Sequence, residues 1–273
     1  FPVQPLLIFT ANPEDYTNRG SIVTPLKDRI GSQILTHYPH NRQIAKEITK
    51  QEAQAAEEQT PNIHIPELAR DVLEQISFEA RKSDYVDAKS GVSARMSITA
   101  FENLLSTAER RMLIISETKT SLRMADFLGI ISAINGKIEL VYEGEQEGAE
   151  QISYYLITQA VKTLFPSYFP EVKKLEKADE EGPYDDLLGW FFKDNELFLE
   201  DTLSDKDYKK LLDNLPGVDA VIKTHQPDCS LEDRYFLIEF LLWGLEAHKK
   251  LNKYRTLEGF QFKDTLGSYI SRL

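Results

Sequence analysis

The chain has 273 residues, of which 41% are hydrophobic and 28% are charged, and its formal net charge at pH 7 is −12. This length suits one large domain or two modest ones. No stretch approaches 18 uninterrupted apolar residues, so the sequence predicts no membrane span. The acidic balance argues against a nucleic-acid binder. The single cysteine, Cys229, cannot form an internal disulfide, and we therefore expect a protein of the reducing cytoplasm.

Charge is unevenly distributed along the chain. Residues 1–136 carry 15 basic and 17 acidic side chains, a net charge of −2, whereas residues 137–273 carry 17 and 27, a net charge of −10. Two segments, 138–148 and 176–186, combine several carboxylates with glycine or proline, a composition that disfavours a packed element. We therefore interpret both segments as junctions.

The first 60 residues contain the strands that the pattern predicts. Residues 6–10 form a short, continuous apolar run followed by Asn12 and Pro13, which is typical of a strand buried on both faces. Residues 25–31 fit a short helix, and residues 32–38 alternate between polar and apolar like a second strand.

The rest of the chain is predicted to be helical. Helix formers and apolar residues at helical spacing mark successive helices, with Pro66 at one first turn and Gly136 after one last turn. The predicted helices are 45–58, 66–82, 97–116, 121–134, 150–165, 184–192, 205–214 and 231–252. The predicted fold class is therefore mainly α, with one or two strands near the start.

The predicted first strand leads to a candidate site residue, Asn12. A polar side chain at the carboxyl end of a buried strand points into the crevice where α/β sheets bind ligands. The Asn12 amide offers a donor and an acceptor and could orient a water molecule beside a phosphate. The simpler alternative is that Asn12 and Pro13 begin a turn.

Three arginines are candidate phosphate ligands. Arg29 could reach a phosphate held by a neighbouring subunit, and Arg19 competes for that role; the alternative is a surface ion pair with Asp28 or another neighbour. Arg95 follows a turn rich in glycine and serine and precedes a predicted helix, where a cation meets the positive helix end. A bound anion would offset the unfavourable interaction between the Arg95 cation and the helix dipole. The alternative is that Arg95 lies there by chance.

Other features carry weaker signals. His37 and His40 have ligand-like spacing, but no third ligand is evident, so we predict no metal site. Cys229 has no adjacent histidine or basic residue, which argues against a nucleophile. Residues 235–243 are apolar nearly all round a helix, which predicts a core helix or a subunit interface.

The order of these features resembles a known family. Phe-Thr-Ala-Asn-Pro-Glu-Asp-Tyr-Thr-Asn-Arg-Gly at 9–20, followed by Pro-Leu-Lys-Asp-Arg at 25–29, resembles the sensor 1 region of AAA+ ATPases of the magnesium-chelatase and MoxR-like group. Ser-Gly-Val-Ser-Ala-Arg at 90–95 and Glu-Asn-Leu-Leu-Ser-Thr-Ala-Glu-Arg-Arg at 102–111 resemble the lid and sensor 2 of that group. Ile30 departs from the pattern of that group, because an aromatic residue usually follows the arginine that corresponds to Arg29.

The resemblance covers about residues 1–140 and implies roles for the candidate residues. Asn12 would be the sensor 1 residue, Arg29 the arginine finger and Arg95 the sensor 2 arginine. The implied organisation is the end of an α/β core at 1–60, a helical lid at 61–140 and an acidic helical domain at 141–273. The implied ligands are ATP and Mg²⁺, bound by a homo-oligomeric ring, a hexamer, of the parent protein.

The sequence contains neither a Gly-x-x-x-x-Gly-Lys-[Ser/Thr] loop nor an apolar strand ending in Asp-Glu. In the resembled family both motifs precede the sensor 1 strand, so we expect a fragment that does not hydrolyse ATP alone. Within the parent, the expected function is ATP-driven remodelling of an unidentified protein partner. The alternative is a non-catalytic helical module that binds a protein. Metal insertion into a porphyrin rests on the family name alone, and transcriptional activation lacks a basic recognition helix.

Overall fold

The computed structural model describes residues 5–10, 25, 28–57, 59–172 and 182–265. Within these ranges the chain is mainly helical. Eleven α-helices are described there, and we number them in chain order: α1 Arg42–Glu52, α2 Gln59–Asn62, α3 Glu67–Lys82, α4 Arg95–Ile114, α5 Ile131–Asn135, α6 Tyr142–Glu147, α7 Ala149–Leu164, α8 Asp185–Phe192, α9 Asp205–Asp213, α10 Val218–His225 and α11 Leu231–Ala247. Short 3₁₀ helices lie at Met124–Ile130 and Phe165–Ser167. Among the described residues, none of these helices combines the length and apolar character that a membrane crossing requires.

Five short strands form two small sheets in the described part of the chain. β1 (Ile63–His64) and β2 (Thr120–Ser121) pair in parallel. β3 (Leu197–Glu200), β4 (Leu251–Arg255) and β5 (Gly259–Asp264) form an antiparallel sheet in the order β3–β5–β4. Phe260 and Phe262 of β5 are fully buried, so this sheet closes one side of the helical core.

The helices pack around one continuous hydrophobic core. α3 packs on α7, and α7 packs in turn on α11, whose residues from Phe236 to Leu245 are all buried. The same core includes Ile138 before the boundary predicted at residues 140 and 141, and Ile152 after it. That boundary therefore lies inside a shared core.

Both predicted strands near the start are wrong for the residues described. Residues 6–10 have no regular structure, and the side chain of Leu6 is 87% exposed. Residues 32–38 are likewise irregular and exposed, including Tyr38 at 47%. An apolar run becomes a buried strand only beside neighbouring strands, and the described residues supply none there.

The segment at 138–148 is also not a loose junction. It contains α6, and the backbone N–H of Asp87 donates to the carbonyl of Glu139 at 2.8 Å. A side chain at Gly144 would place its Cβ 2.6 Å from the Tyr85 carbonyl oxygen. The glycine therefore permits close packing of two chain segments, where composition alone predicted a junction without a packed element. Of the second predicted junction, residues 176–181 lie outside the described ranges.

Most long helices were predicted to within a few residues, but the helix predicted at 121–134 was not. Its start is the strand β2, and its centre is the 3₁₀ helix Met124–Ile130, with α5 following and Gly136 after the last turn. The helix predicted at 231–252 ends at Ala247 instead, because the chain reverses at Lys249 (φ 61°) to begin β4.

Candidate functional site

The structure describes two of the four candidate site residues. Asn12 and Arg19 lie outside the described residues. Arg29 lies in an exposed turn, and Arg95 is the first residue of α4. Neither the Arg29 nor the Arg95 guanidinium has a hydrogen bond or ion pair with another described residue. The surface ion pair considered for Arg29 is therefore not formed with Asp28.

The backbone around Arg95 is fixed although its side chain is exposed. The Arg95 N–H donates to Ser93 Oγ at 3.3 Å, and the N–H of Met96 donates to the Ser93 carbonyl at 2.9 Å. Met96 and Ser97, which follow, are buried against the core. Arg95 thus has no side-chain partner within the described ranges and lies at the positive end of a 20-residue helix, where a cation is unfavourable and a bound anion would be favoured.

The loop before Arg95 is held by residues from distant parts of the chain. Gly91 adopts φ 69°, a left-handed conformation that glycine accepts without strain. The Ser90 hydroxyl donates to the carboxylate of Glu139. The loop between α3 and α4 is therefore tied to the segment that precedes α6.

Val92 is the most strongly held residue of this loop. Its N–H donates to the Tyr38 hydroxyl at 3.0 Å, and its carbonyl accepts from Arg81 Nε at 3.2 Å. The Arg81 guanidinium carbon lies 4.3 Å from the centre of the Tyr38 ring, so the two residues that hold Val92 also contact each other. We call Tyr38, Arg81 and Val92 the Val92 clamp.

Partial burial of the Arg81 guanidinium is energetically unfavourable. Burial lowers the pKa of its guanidinium, and Tyr38 and Glu74 oppose that shift only in part. Its Nη1 atom is buried without a hydrogen-bond partner among the described residues. A half-buried cation with an unsatisfied donor costs more than an apolar side chain of similar size would.

The chain after Tyr38 docks firmly on α3. Asn41 caps α1, because its Oδ1 accepts from the N–H of Ile44 at 2.9 Å. Lys46 Nζ pairs with Asp71 at 2.9 Å, and Arg42 donates to Gln75 at 2.8 Å. Segment 41–52 therefore forms one packed unit with α3.

A second polar cluster lies inside the core. Arg111, at the end of α4, contacts Asp126 through two nitrogens at 3.1 and 2.8 Å and also donates to the Thr120 hydroxyl at 2.8 Å. The neighbouring Arg123 donates to the carbonyl of Leu203 at 3.0 Å and stacks 4.0 Å above the Tyr208 ring. This cluster joins the end of α4 to α9.

Burial shifts the titration of this cluster. Glu239 of α11 belongs to the cluster because it accepts from the Tyr208 hydroxyl at 2.8 Å. Burial raises the pKa of Glu239, and the hydrogen bonds from Tyr208 and Met124 oppose that rise only in part. It also raises the pKa of Tyr208 well above its usual value, and the adjacent Glu239 charge adds to that rise. Tyr208 is therefore a neutral donor near pH 7, and the cluster has a structural role in joining helices.

Neither metal nor nucleophilic chemistry finds support in the described residues. The rings of His37 and His40 lie 4.2 Å apart, and within the described ranges no group of three potential ligands is arranged to hold a metal ion. Burial raises the pKa of the Cys229 thiol, and Asp233 raises it further, so thiolate formation is disfavoured.

The clamp and the core cluster were missed by sequence reasoning. Tyr38 and Arg81 are 43 positions apart, and nothing in either neighbourhood indicates that they meet. Glu239 did carry a signal, since it is the one carboxylate within the apolar stretch 235–243 and a buried carboxylate needs partners.

Comparison with known proteins identifies no relative of this chain. No model of a known protein family matches the chain, and neither the curated proteins nor the solved structures contain a significant match.

Proposed function

We propose that this chain is the C-terminal part of a ring-forming ATPase of the magnesium-chelatase and MoxR-like group, which couples ATP hydrolysis to remodelling of a protein partner in the cytoplasm. In the parent protein, upstream strands would supply the neighbours that residues 6–10 lack, so that residues 1–60 would complete the α/β core. Residues 61–140 would form the lid, and residues 141–273 would follow the lid's movement. The support is the ordered resemblance at 9–29 and 90–111.

The observation that carries the proposal is the position of Arg95. It is an exposed arginine without a side-chain partner among the described residues, and it stands at the amino end of α4, where a phosphate would meet both the cation and the helix dipole. This is the place that the resemblance assigns to sensor 2. Exposure of Arg29 is compatible with a contact to a neighbouring subunit.

The proposed chemistry divides between these residues. Arg29 would stabilise charge on the phosphoryl group held by the neighbouring subunit, and Asn12 would orient the attacking water. Arg95 would bind phosphate from the lid side, so loss of the γ-phosphate would release the lid. When bound with ATP, Mg²⁺ neutralises part of the phosphate charge.

Substitution in the full-length protein tests this assignment. Arg29→Ala is expected to lower ATP turnover by about 10³-fold while leaving ATP binding nearly intact. Arg95→Ala is expected to weaken nucleotide binding, and Arg110→Ala, which removes an exposed cation of α4, is the matched control. Wild-type turnover in Arg29→Ala, at the wild-type assembly state, contradicts the proposal.

A second candidate function rests on the acidic second half. Residues 137–273 carry a net charge of −10, and Glu143, Glu145 and Glu147 are all exposed on α6. An interaction module of this charge would bind a basic protein surface with an affinity that falls as salt rises. Binding of a lysine-rich peptide that is indifferent to salt contradicts this alternative.

A further inference from the structure

We infer that Tyr38 and Arg81 are positioning residues for Arg95, because through Val92 they hold the loop from which Arg95 emerges. This inference rests on the proposed function. It assigns a role to a contact between the chain that follows Arg29 and the loop that precedes Arg95, two parts of the chain that the resemblance places on opposite sides of the boundary between core and lid.

Both the backbone and the side chain of Val92 are restrained. Its N–H is bound by the Tyr38 hydroxyl, its carbonyl is bound by Arg81 Nε, and its side chain is 1% exposed. The contact between the Arg81 guanidinium and the Tyr38 ring, at 4.3 Å, makes each of the two partners support the other. Loss of either partner therefore loosens both hydrogen bonds.

The start of α4 depends on this clamp because Ser93, which accepts from the first N–H groups of the helix, directly follows Val92. The residue before the helix is Ala94, which has no side-chain cap, so the N–H groups of Arg95 and Met96 donate to Ser93 instead. Gly91, next to Val92, tolerates a wide range of backbone conformations once its neighbours are released. Arg95 lies only three residues beyond Val92, so disorder in the loop displaces its long side chain directly.

Tyr38 lies between the irregular segment that carries Arg29 and the helix α1. Residues 28–37 have no regular structure beyond a turn, whereas segment 41–52 is packed on α3. Through its hydroxyl, Tyr38 connects this segment to the loop between α3 and α4. The clamp thus ties the segment that carries Arg29 to the loop that carries Arg95.

Amide hydrogen exchange measures the clamp without any nucleotide. In the full chain, Tyr38→Phe keeps the ring over Arg81 and removes only the acceptor of the Val92 N–H. Exchange in residues 88–96 is expected to become about 2- to 10-fold faster, the effect of losing one hydrogen bond. Arg81→Lys, which lacks the Nε donor, is expected to act in the same direction. Tyr142→Phe, at an exposed tyrosine of α6, is the control. Unchanged exchange in both clamp variants overturns the inference.

ATP kinetics of the full-length protein then separate positioning from general stability. Tyr38→Phe is expected to raise KM for ATP several-fold, and to add nothing when Arg95 is already alanine, because the clamp acts through Arg95. A Tyr38→Phe effect that persists undiminished in the Arg95→Ala background overturns the inference. Wild-type kinetics of Arg95→Ala itself overturn the proposed function, and faster exchange in Tyr38→Phe would then still support the clamp.

Discussion

Glu239, in the middle of α11, accepts a hydrogen bond at 2.8 Å from the backbone N–H of Met124, the first residue of a 3₁₀ helix 115 positions earlier in the chain. The same carboxylate oxygen accepts from the Tyr208 hydroxyl at 2.8 Å. The carboxylate is 1% exposed. A single carboxylate within the buried stretch of α11 thus accepts from a backbone donor at a helix start and from a buried phenol, joining three elements at one point.

Removal of this carboxylate is expected to be strongly destabilising. Glu239→Ala leaves the Met124 N–H and the Tyr208 hydroxyl without an acceptor and opens a cavity, which should cost about 2–5 kcal/mol of unfolding free energy. Glu239→Gln retains an acceptor oxygen and should cost less. Urea unfolding measures both, with the exposed Glu145→Gln as control. Equal losses for the alanine and glutamine variants would show that the acceptor does not matter.

The same residue predicts a pH dependence. Burial raises the pKa of Glu239 above 4.5, its usual value, so the folded protein holds this proton more tightly than the unfolded chain does. Its contribution to stability is therefore fully present below about pH 4.5 and declines as pH rises through the raised pKa. We expect the unfolding free energy of the wild type, relative to Glu239→Gln, to fall as the pH rises above about 4.5. A difference that grows with pH would contradict the assignment.

Arg111 and Asp126 form an ion pair whose exposed fractions are 7% and 3%. Arg111→Met leaves a buried carboxylate unpaired, and Asp126→Leu leaves a buried guanidinium unpaired, so each should cost about 3–5 kcal/mol. The double variant should lose much less than the sum, because neither charge then remains. A double-mutant cycle by chemical unfolding measures this coupling. Arg110→Met, one residue earlier and exposed, should change stability by no more than about 0.5 kcal/mol. Additive losses would exclude a coupled pair.

Two helical glycines should respond to alanine in opposite directions. At Gly244 of α11 an added Cβ would lie 2.0 Å from a carbon of the Phe165 ring, so Gly244→Ala should destabilise the protein by about 1–3 kcal/mol or more. At Gly189 of α8 an added Cβ would meet nothing within 4 Å, so Gly189→Ala should stabilise it by about 0.5–1 kcal/mol. Thermal unfolding under one set of conditions compares them. The same sign for both variants would contradict the packing around α11.

Local sequence pattern was sufficient for the long helices. Glu67–Lys82, Arg95–Ile114 and Ala149–Leu164 have apolar residues at helical spacing, and the end of α5 is marked by Gly136. Such signals lie within a few residues of each other, because a helix forms its hydrogen bonds within one segment.

The strands could not be read in the same way. Residues 6–10 look more like a buried strand than Leu197–Glu200 does, yet the former are exposed and the latter pairs with Gly259–Asp264. A strand exists only through its partner, and the partner of β3 lies about 60 residues later in the sequence. Glycine and carboxylates at 138–148 misled for a related reason, since the close approach of Tyr85 to Gly144 is a tertiary contact.

The candidate site likewise combines features that local sequence predicts with contacts that depend on the tertiary structure. Turn and helix signals are local, and they were enough to predict that Arg95 follows a turn of glycine and serine next to the start of a helix. The contacts of Tyr38 and Arg81 with Val92, and of Glu239 with Met124 and Tyr208, arise instead from tertiary packing. Those contacts join residues between 11 and 115 positions apart, and burial and side-chain geometry in the packed core, rather than any local preference, select them.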